Sequence, residues 1–132
     1  MDDPTVGDLM TSPVLTVEGD EPPSDVASAM ASEGIKSVVV IDDDCDVDGI
    51  FTATDYMSMA ASGTDPDATA VRECMTTGVV TISPEASAET AATRMVANDI
   101  SHLPVVGDDR QVTGIVTTTD LLASLADEPA EV

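Results

Sequence analysis

Aromatic and basic residues are nearly missing from this chain of 132 residues: Phe, Tyr and Trp together make up 2%, and 4 lysines and arginines stand against 26 aspartates and glutamates. Without aromatics there is no platform on which single-stranded nucleic acid could stack. Lys36, Arg72, Arg94 and Arg110 are too few to form the basic patch that a duplex requires. Nucleic acid is therefore not expected as a partner. Cys45 and Cys74 form no Cys-x-x-Cys pair, which argues against a disulfide framework or a zinc site and fits a reducing cytoplasm. Long apolar runs are lacking too, and Met1-Asp2-Asp3-Pro4 is no basic leader, so neither a membrane partner nor export is expected.

What the chain has is apolar content and acid. Hydrophobic residues are 42% of it, too many for a disordered acidic tail, so the net charge of −22 belongs to a folded surface. Such a surface repels itself in dilute buffer and is screened in concentrated salt, the habit of a halophile's cytoplasmic protein. A nucleic-acid mimic or an acidic partner surface is the rival reading. The acids are spread through the whole sequence rather than gathered in one block, which disfavours that rival.

The chain also repeats itself. Gly49-Ile50-Phe51-Thr52-Ala53-Thr54-Asp55 returns as Gly114-Ile115-Val116-Thr117-Thr118-Thr119-Asp120, and the same offset of sixty-five positions pairs Val6 with Val71, Met10-Thr11 with Met75-Thr76, Met30 with Met95, Ile35 with Ile100 and Val40 with Val105. A period of this length marks a supersecondary unit used twice. One repeat alone would bury little surface, so a single core shared by two halves is expected.

Each half reads helix, strand, helix, strand, strand, helix. Short helices are expected at Thr5 to Met10 and Ala70 to Met75, and brief strands at Val14 to Val17 and Val79 to Ile82. Ser24 and Ser87 stand where N-caps belong, before helices whose apolar faces are Val26, Ala27 and Met30, and Ala91, Ala92, Met95 and Val96. Gly34 and Asn98-Asp99 end them. Ser37-Val38-Val39-Val40-Ile41 and His102-Leu103-Pro104-Val105-Val106 read as strands buried on both faces. Second strands follow at Val47 to Thr52 and Val112 to Thr117. The last helices have Met57, Met59 and Ala60, and Leu121, Leu122 and Leu125, as their expected buried sides. Ser62 to Ala68, rich in turn formers, is a linker.

The duplicated Thr-x-x-Asp carries the chemistry. A strand ends, hydroxyls follow, and a carboxylate stands at a helix N-terminus, where free N–H groups can hold a phosphate and the carboxylate can accept from both ribose hydroxyls. A purely local reading competes: Thr54 and Thr119 cap their helices, and the aspartates complement the dipole. The run from Asp44 to Gly49, with Asp55 twelfth, imitates a calcium loop, but its second copy, Asp109 to Gly114, does not keep the acids, and no metal is expected. His102 beside Ser101 is poor as a base for a nucleophile, because neighbours on a strand point to opposite faces. Met10, Met75, Met30 and Met95 read as core filler, and Cys74 as packing.

The two Gly-Ile-x-Thr-x-x-Asp endings, with Ile100-Ser101-His102-Leu103-Pro104-Val105-Val106, resemble the CBS domain family, named after cystathionine β-synthase, whose tandem repeats form a Bateman module. The resemblance implies an α+β fold of two β-α-β-β-α repeats packed about a pseudo-twofold, with small mixed sheets covered by helices. Repeat one would span residues 4–62, a linker 63–68 and repeat two 69–127. It implies clefts between the repeats for AMP, ADP, ATP or S-adenosylmethionine, with no required cofactor and no catalysis. Asp55 and Asp120 would hold ribose hydroxyls, Thr52 and Thr117 would sit near ribose and phosphate, and Ile50 and Ile115 would flank adenine. Ile35, Lys36, Ser37, Ile100, Ser101 and His102 would line the clefts, Lys36 with Asp120 and His102 with Asp55. Departures are visible: Val39 replaces the proline at Pro104, and Lys36-Ser37 stands where the second copy has Ser101-His102, so the clefts would differ. Scarce cations favour AMP or S-adenosylmethionine over ATP unless magnesium or potassium screens the site. A homodimer with contacts near Met57 and Leu121-Leu122, and a regulated partner protein, complete the expectation. The alternative is a ligand-free dimerisation or scaffold module.

Overall fold

Two left-handed residues, Gly34 at φ 68° and Asp99 at φ 54°, end the two eleven-residue helices and turn the chain into its central strands. The computed structural model describes residues 4–12 and 14–126. The chain divides into two compact units: Leu15–Val79, and the described residues up to Val14 together with those from Val80 onward. Each repeat's opening segment thus lies in the unit that holds the other repeat's strands. Most of the buried apolar residues fall in two clusters, one within each unit.

In the Leu15–Val79 unit, β1 (Thr16–Glu18) runs parallel to β2 (Ser37–Ile41), which pairs antiparallel with β3 (Val47–Thr52). Alternation sends Val38, Val40 and Phe51 to the core that α2 (Pro23–Glu33) and α3 (Ala53–Ala61) close with Val26, Met30 and Met59. Ser24 does not cap α2. Pro22 holds the cap position and Pro23 the first turn, where a missing N–H costs nothing, and the Ser24 hydroxyl instead donates to Asp67 Oδ1 in the linker at 2.5 Å. The helix expected at Ala70 to Met75 is one 3-10 turn, Val71–Glu73.

In the other unit, α1 (Val6–Leu9) is closed by a capping box: the Asp8 N–H donates to Thr5 Oγ1 at 3.3 Å and the Thr5 N–H to Asp8 Oδ2 at 3.0 Å. Those bonds, the backbone one first, hold the Asp8 carboxyl below its ordinary pKa. Ser87 caps α4 (Ala88–Asn98) as expected, accepting the Thr90 N–H at 3.0 Å. β4 (His102–Val106) pairs antiparallel with β5 (Val112–Thr117), and α5 (Thr118–Ala126) follows.

The strand expected at Val79 to Ile82 is reduced to one parallel bridge, Ile82 with Val105. Proline explains it. In the first unit the Val39 N–H donates to Leu15 O at 3.2 Å, and the residue in register with Val39 is Pro104, which has no N–H to give Val80. Only the bonds from Ile82 N–H to Pro104 O, 3.0 Å, and from Val106 N–H to Ile82 O, 2.9 Å, remain.

The last helices also turn differently from the expected apolar sides. Tyr56 and Met59, three apart, face the core, while Met57 is 69% exposed and Ala60 is exposed. Leu121 is half-buried, but Leu122 and Leu125 are 65% and 66% exposed. On α4 the buried residues are Ala91 and Met95, with Ala92 and Val96 outside. Neighbours of an inward residue on a helix lie about a quarter-turn off its face, which is why a compositional reading overstates the buried stripe.

Candidate functional site

Thr52 is extended, with φ −119° and ψ 167°, and Ala53 begins the helix, so the third helical residue is Asp55. This spacing makes a capping box. The Asp55 N–H donates to Thr52 Oγ1 at 3.1 Å and the Thr52 N–H donates to Asp55 Oδ2 at 2.9 Å; Thr117 and Asp120 repeat the pair at the same two distances. Thr52 and Thr117 therefore do the capping that the competing local reading gave to Thr54 and Thr119. The latter two are exposed in the first helical turn. The box also fixes the carboxylates: one oxygen of each is tied to its own backbone, and remaining lone pairs are available to a donor.

The leading residues of the central strands stand beside these caps. Ser37 is in register with Thr52, and His102 with Thr117. The Ala53 N–H donates to Lys36 O at 2.9 Å and the Thr118 N–H to Ser101 O at 3.1 Å, so each strand opening is tied to the helix start of its own repeat. Lys36 and Ser101 are exposed, Ile35, Ile100 and His102 half-buried, and Ser37 buried. Ile50 and Ile115 keep 6% of their surface each. Each unit thus brings together six of the expected residues: Ile35, Lys36, Ser37, Ile50, Thr52 and Asp55 in one, and their counterparts in the other.

Ser101 and His102 are closer than strand alternation predicts. The chain bends at Ser101 before β4 begins, and Ser101 Oγ lies 3.1 Å from His102 Nδ1. A hydroxyl against an imidazole is a hydrogen bond; a nucleophile also needs donors for a developing oxyanion.

Thr76 was missed in the sequence reading. Its hydroxyl donates to Asp55, 3.2 Å from Oδ1 and 3.4 Å from Oδ2. The Ile50 N–H bonds Thr76 O at 3.0 Å and the Thr76 N–H bonds Ile50 O at 2.8 Å, placing the threonine one strand-width from the cap. The signal was available: Met75-Thr76 repeats Met10-Thr11 at the common offset, and Thr11 makes the same backbone pair with Ile115.

In the acidic turn after β2, the Asp42 carboxylate accepts the N–H groups of Asp44 and Asp46 at 2.9 and 3.0 Å, the work of a turn former. Among the described residues no group of three or more His, Cys, Asp or Glu is placed to hold a metal, and no helix is long and apolar enough to cross a membrane. Cys74 packs against the first core; burial, then the charges of Glu73 and Asp55, push its thiol pKa up.

The family model described as "CBS domain" matches residues 6–62 and again 71–127. The homoserine O-acetyltransferase of Methanosalsum zhilinae is 33% identical over 89% of this chain and 23% of its own length. Protein MK0525 of Methanopyrus kandleri is 31% identical over 89% of this chain and 61% of its own. The chain accordingly spans less than two thirds of these curated relatives. Among solved structures, the CBS domain pair of protein MJ0100 in complex with 5'-methylthioadenosine and S-adenosyl-L-methionine superposes with a TM-score of 0.87 at 26% identity, over 95% of this chain and 98% of that one.

Proposed function

The chain belongs to the CBS domain family, as a tandem pair of CBS repeats with an α+β fold, and from that premise we propose that it is a regulatory module that binds an adenosyl ligand and reports the binding to a partner protein without turning the ligand over. The observation that carries this reading is the duplicated cap, in which a threonine and an aspartate hold each other and present a fixed carboxylate beside a strand opening. Asp55 and Asp120 take the ribose hydroxyls, Thr52 and Thr117 lie by ribose and phosphate, and Ile50 and Ile115 flank the base. Ile35, Lys36, Ser37, Ile100, Ser101 and His102 supply the remaining lining.

The adenosyl class is supported by the ligands of the MJ0100 pair, both of which carry adenosine. Charge narrows it. A protein of net charge −22 with four basic residues favours S-adenosylmethionine or AMP over ADP and ATP. Signalling then requires that the ligand prefer one conformation of the module over another.

Isothermal titration in molar KCl with AMP, ADP, ATP and S-adenosylmethionine tests this. Saturable heat from at least one ligand, weakened at least tenfold in Asp55→Asn or Asp120→Asn with little loss of stability, is the expected result. A folded protein that gives no heat with any of the four overturns it.

The second reading is a ligand-free dimerisation or scaffold module. Exposed Met57, Leu122 and Leu125 favour self-association, and capping alone accounts for the threonines and aspartates. Under that reading the Asp→Asn variants change stability modestly and alter no affinity, while sedimentation still reports a dimer.

A further inference from the structure

The two carboxylates sit in matching capping boxes, and the hydrogen bonds they accept differ by one hydroxyl. Both make the same capping box at the same distances, and both lie beside a Met-Thr segment pinned by a reciprocal backbone pair, Thr76 with Ile50 and Thr11 with Ile115. Thr76 donates its hydroxyl across both oxygens of Asp55. Among the described residues, the Asp120 carboxylate accepts from the Thr117 N–H alone, and the Thr11 hydroxyl makes no bond to it.

An ionised carboxylate accepts through about four lone-pair sites and donates nothing. A ribose offers two adjacent hydroxyls, and both need acceptors if they are to leave water without loss. At Asp120 the cap consumes one site and leaves room for both. At Asp55 the cap takes one site and the Thr76 hydroxyl, shared across both oxygens, takes one on each, which leaves a single site for a pair of ribose hydroxyls. A sugar can place both hydroxyls on Asp55 only by turning Thr76 away, which gives up the bond Thr76 makes to the carboxylate.

We infer that Thr76 acts as an internal stand-in for a ribose hydroxyl, which makes Asp120 the first sugar-binding carboxylate to fill and Asp55 a weaker one gated by the Thr76 side chain. The inference rests on the reading of these aspartates as ribose ligands and adds to it an order of occupancy and the residue that sets that order. The repeats are thereby different instruments despite identical motifs. Asp120 responds at low ligand concentration, and Asp55 only once ligand outcompetes a neighbouring side chain. Losing a net hydrogen bond to a charged acceptor at an exposed position corresponds to a difference of about five- to tenfold in affinity.

The test titrates S-adenosylmethionine in molar KCl against the parent chain, Thr76→Val, Thr11→Val, Asp55→Asn and Asp120→Asn. Valine keeps the branched shape on an extended segment and removes only the hydroxyl. Two affinities are expected, the tighter lost in Asp120→Asn and the weaker in Asp55→Asn. Thr76→Val should strengthen the weaker one about five- to tenfold and leave the tighter one alone, while Thr11→Val changes neither. A weaker affinity indifferent to Thr76→Val, or a tighter one lost in Asp55→Asn, overturns the inference alone. Silence in every titration overturns the functional reading, and this inference with it. Three-bond scalar couplings of the threonine methyl groups in the free protein give a check without ligand: one dominant χ1 rotamer is expected at Thr76 and averaging at Thr11. Averaging at both overturns the gate.

Discussion

A Cβ placed on Gly49 would lie 2.5 Å from Met75 Sδ and 2.8 Å from Thr76 O, and one on Gly114 would meet Met10 Sδ at 2.6 Å and Thr11 O at 2.8 Å. The glycine that opens each motif is thus required by a crossing segment of chain. A thioether can swing aside, but a carbonyl already bonded to a strand cannot. Gly49→Ala and Gly114→Ala should each cost roughly 1–3 kcal/mol in urea unfolding, the ordinary range for overpacking. Unchanged midpoints would show that the crossing segments yield freely.

Removing either capping hydroxyl should be felt as helix destabilisation. Thr52→Ala and Thr117→Ala are expected to lower stability by about 1 kcal/mol each, with serine restoring most of it, whereas Thr54→Ala and Thr119→Ala should be near neutral. Denaturant titration of the four variants decides which threonines cap. A larger loss from Thr54 or Thr119 would contradict the hydrogen bonds described.

Pro104→Val should return an N–H to the second sheet. The amide of residue 104 should then be protected from hydrogen exchange much as that of Val39 is, through a bond to Val80 O like the one Val39 makes to Leu15 O. A gain of about 0.5–1 kcal/mol is expected from the new bond, reduced by the greater freedom of the unfolded chain without proline. Rapid exchange at residue 104 would mean that something other than proline keeps Val79 to Ile82 from forming a strand.

Cys74 sets a pH dependence with a definite sign. Its thiol pKa is raised in the folded state by burial and by the charges of Glu73 and Asp55, so the unfolded chain loses the proton first as pH rises. Stability should fall through the pH range where free thiols ionise, and Cys74→Ala should flatten that fall. Iodoacetamide at pH 8 should label exposed Cys45 well before Cys74. Equal labelling rates would remove the argument.

Concentrated salt should stabilise this protein. Raising KCl from about 0.1 M to 1 M shortens the screening length from roughly 10 to 3 Å and relieves the repulsion of a surface carrying −22. The urea midpoint should climb over that range. A midpoint that falls would argue that attraction between charges, not repulsion, dominates the surface.

Most of the fold was legible because its strongest signals are local and duplicated. β2 to β5 begin and end where the apolar runs do, and Gly34 and Asp99 stop their helices where the turn residues stood. What escaped depends on partners distant in sequence. Val79 to Ile82 has strand composition, but whether it pairs is decided by the missing N–H of Pro104. Thr76 was given no role because that role arises only where the chain crosses Ile50 and meets Asp55. Thr52 could have been recognised, since Thr-x-x-Asp before a helix is a capping box; attention to Thr54 put the cap two residues late.

The crossing segments also set a timetable for biosynthesis. Met75-Thr76 closes on Gly49 and Ile50 across a short stretch already made, so the Leu15–Val79 unit has all its parts once Val79 has left the ribosome. Thr11 must wait for Ile115, which is synthesised a whole repeat later than Thr76's partner Ile50. The entropy of closing that longer loop is only about 1 kcal/mol greater, because it grows with the logarithm of length. Delay rather than energy is the difference: Thr11 stays unpartnered until the strands of the second repeat have been made, after the Leu15–Val79 unit is complete.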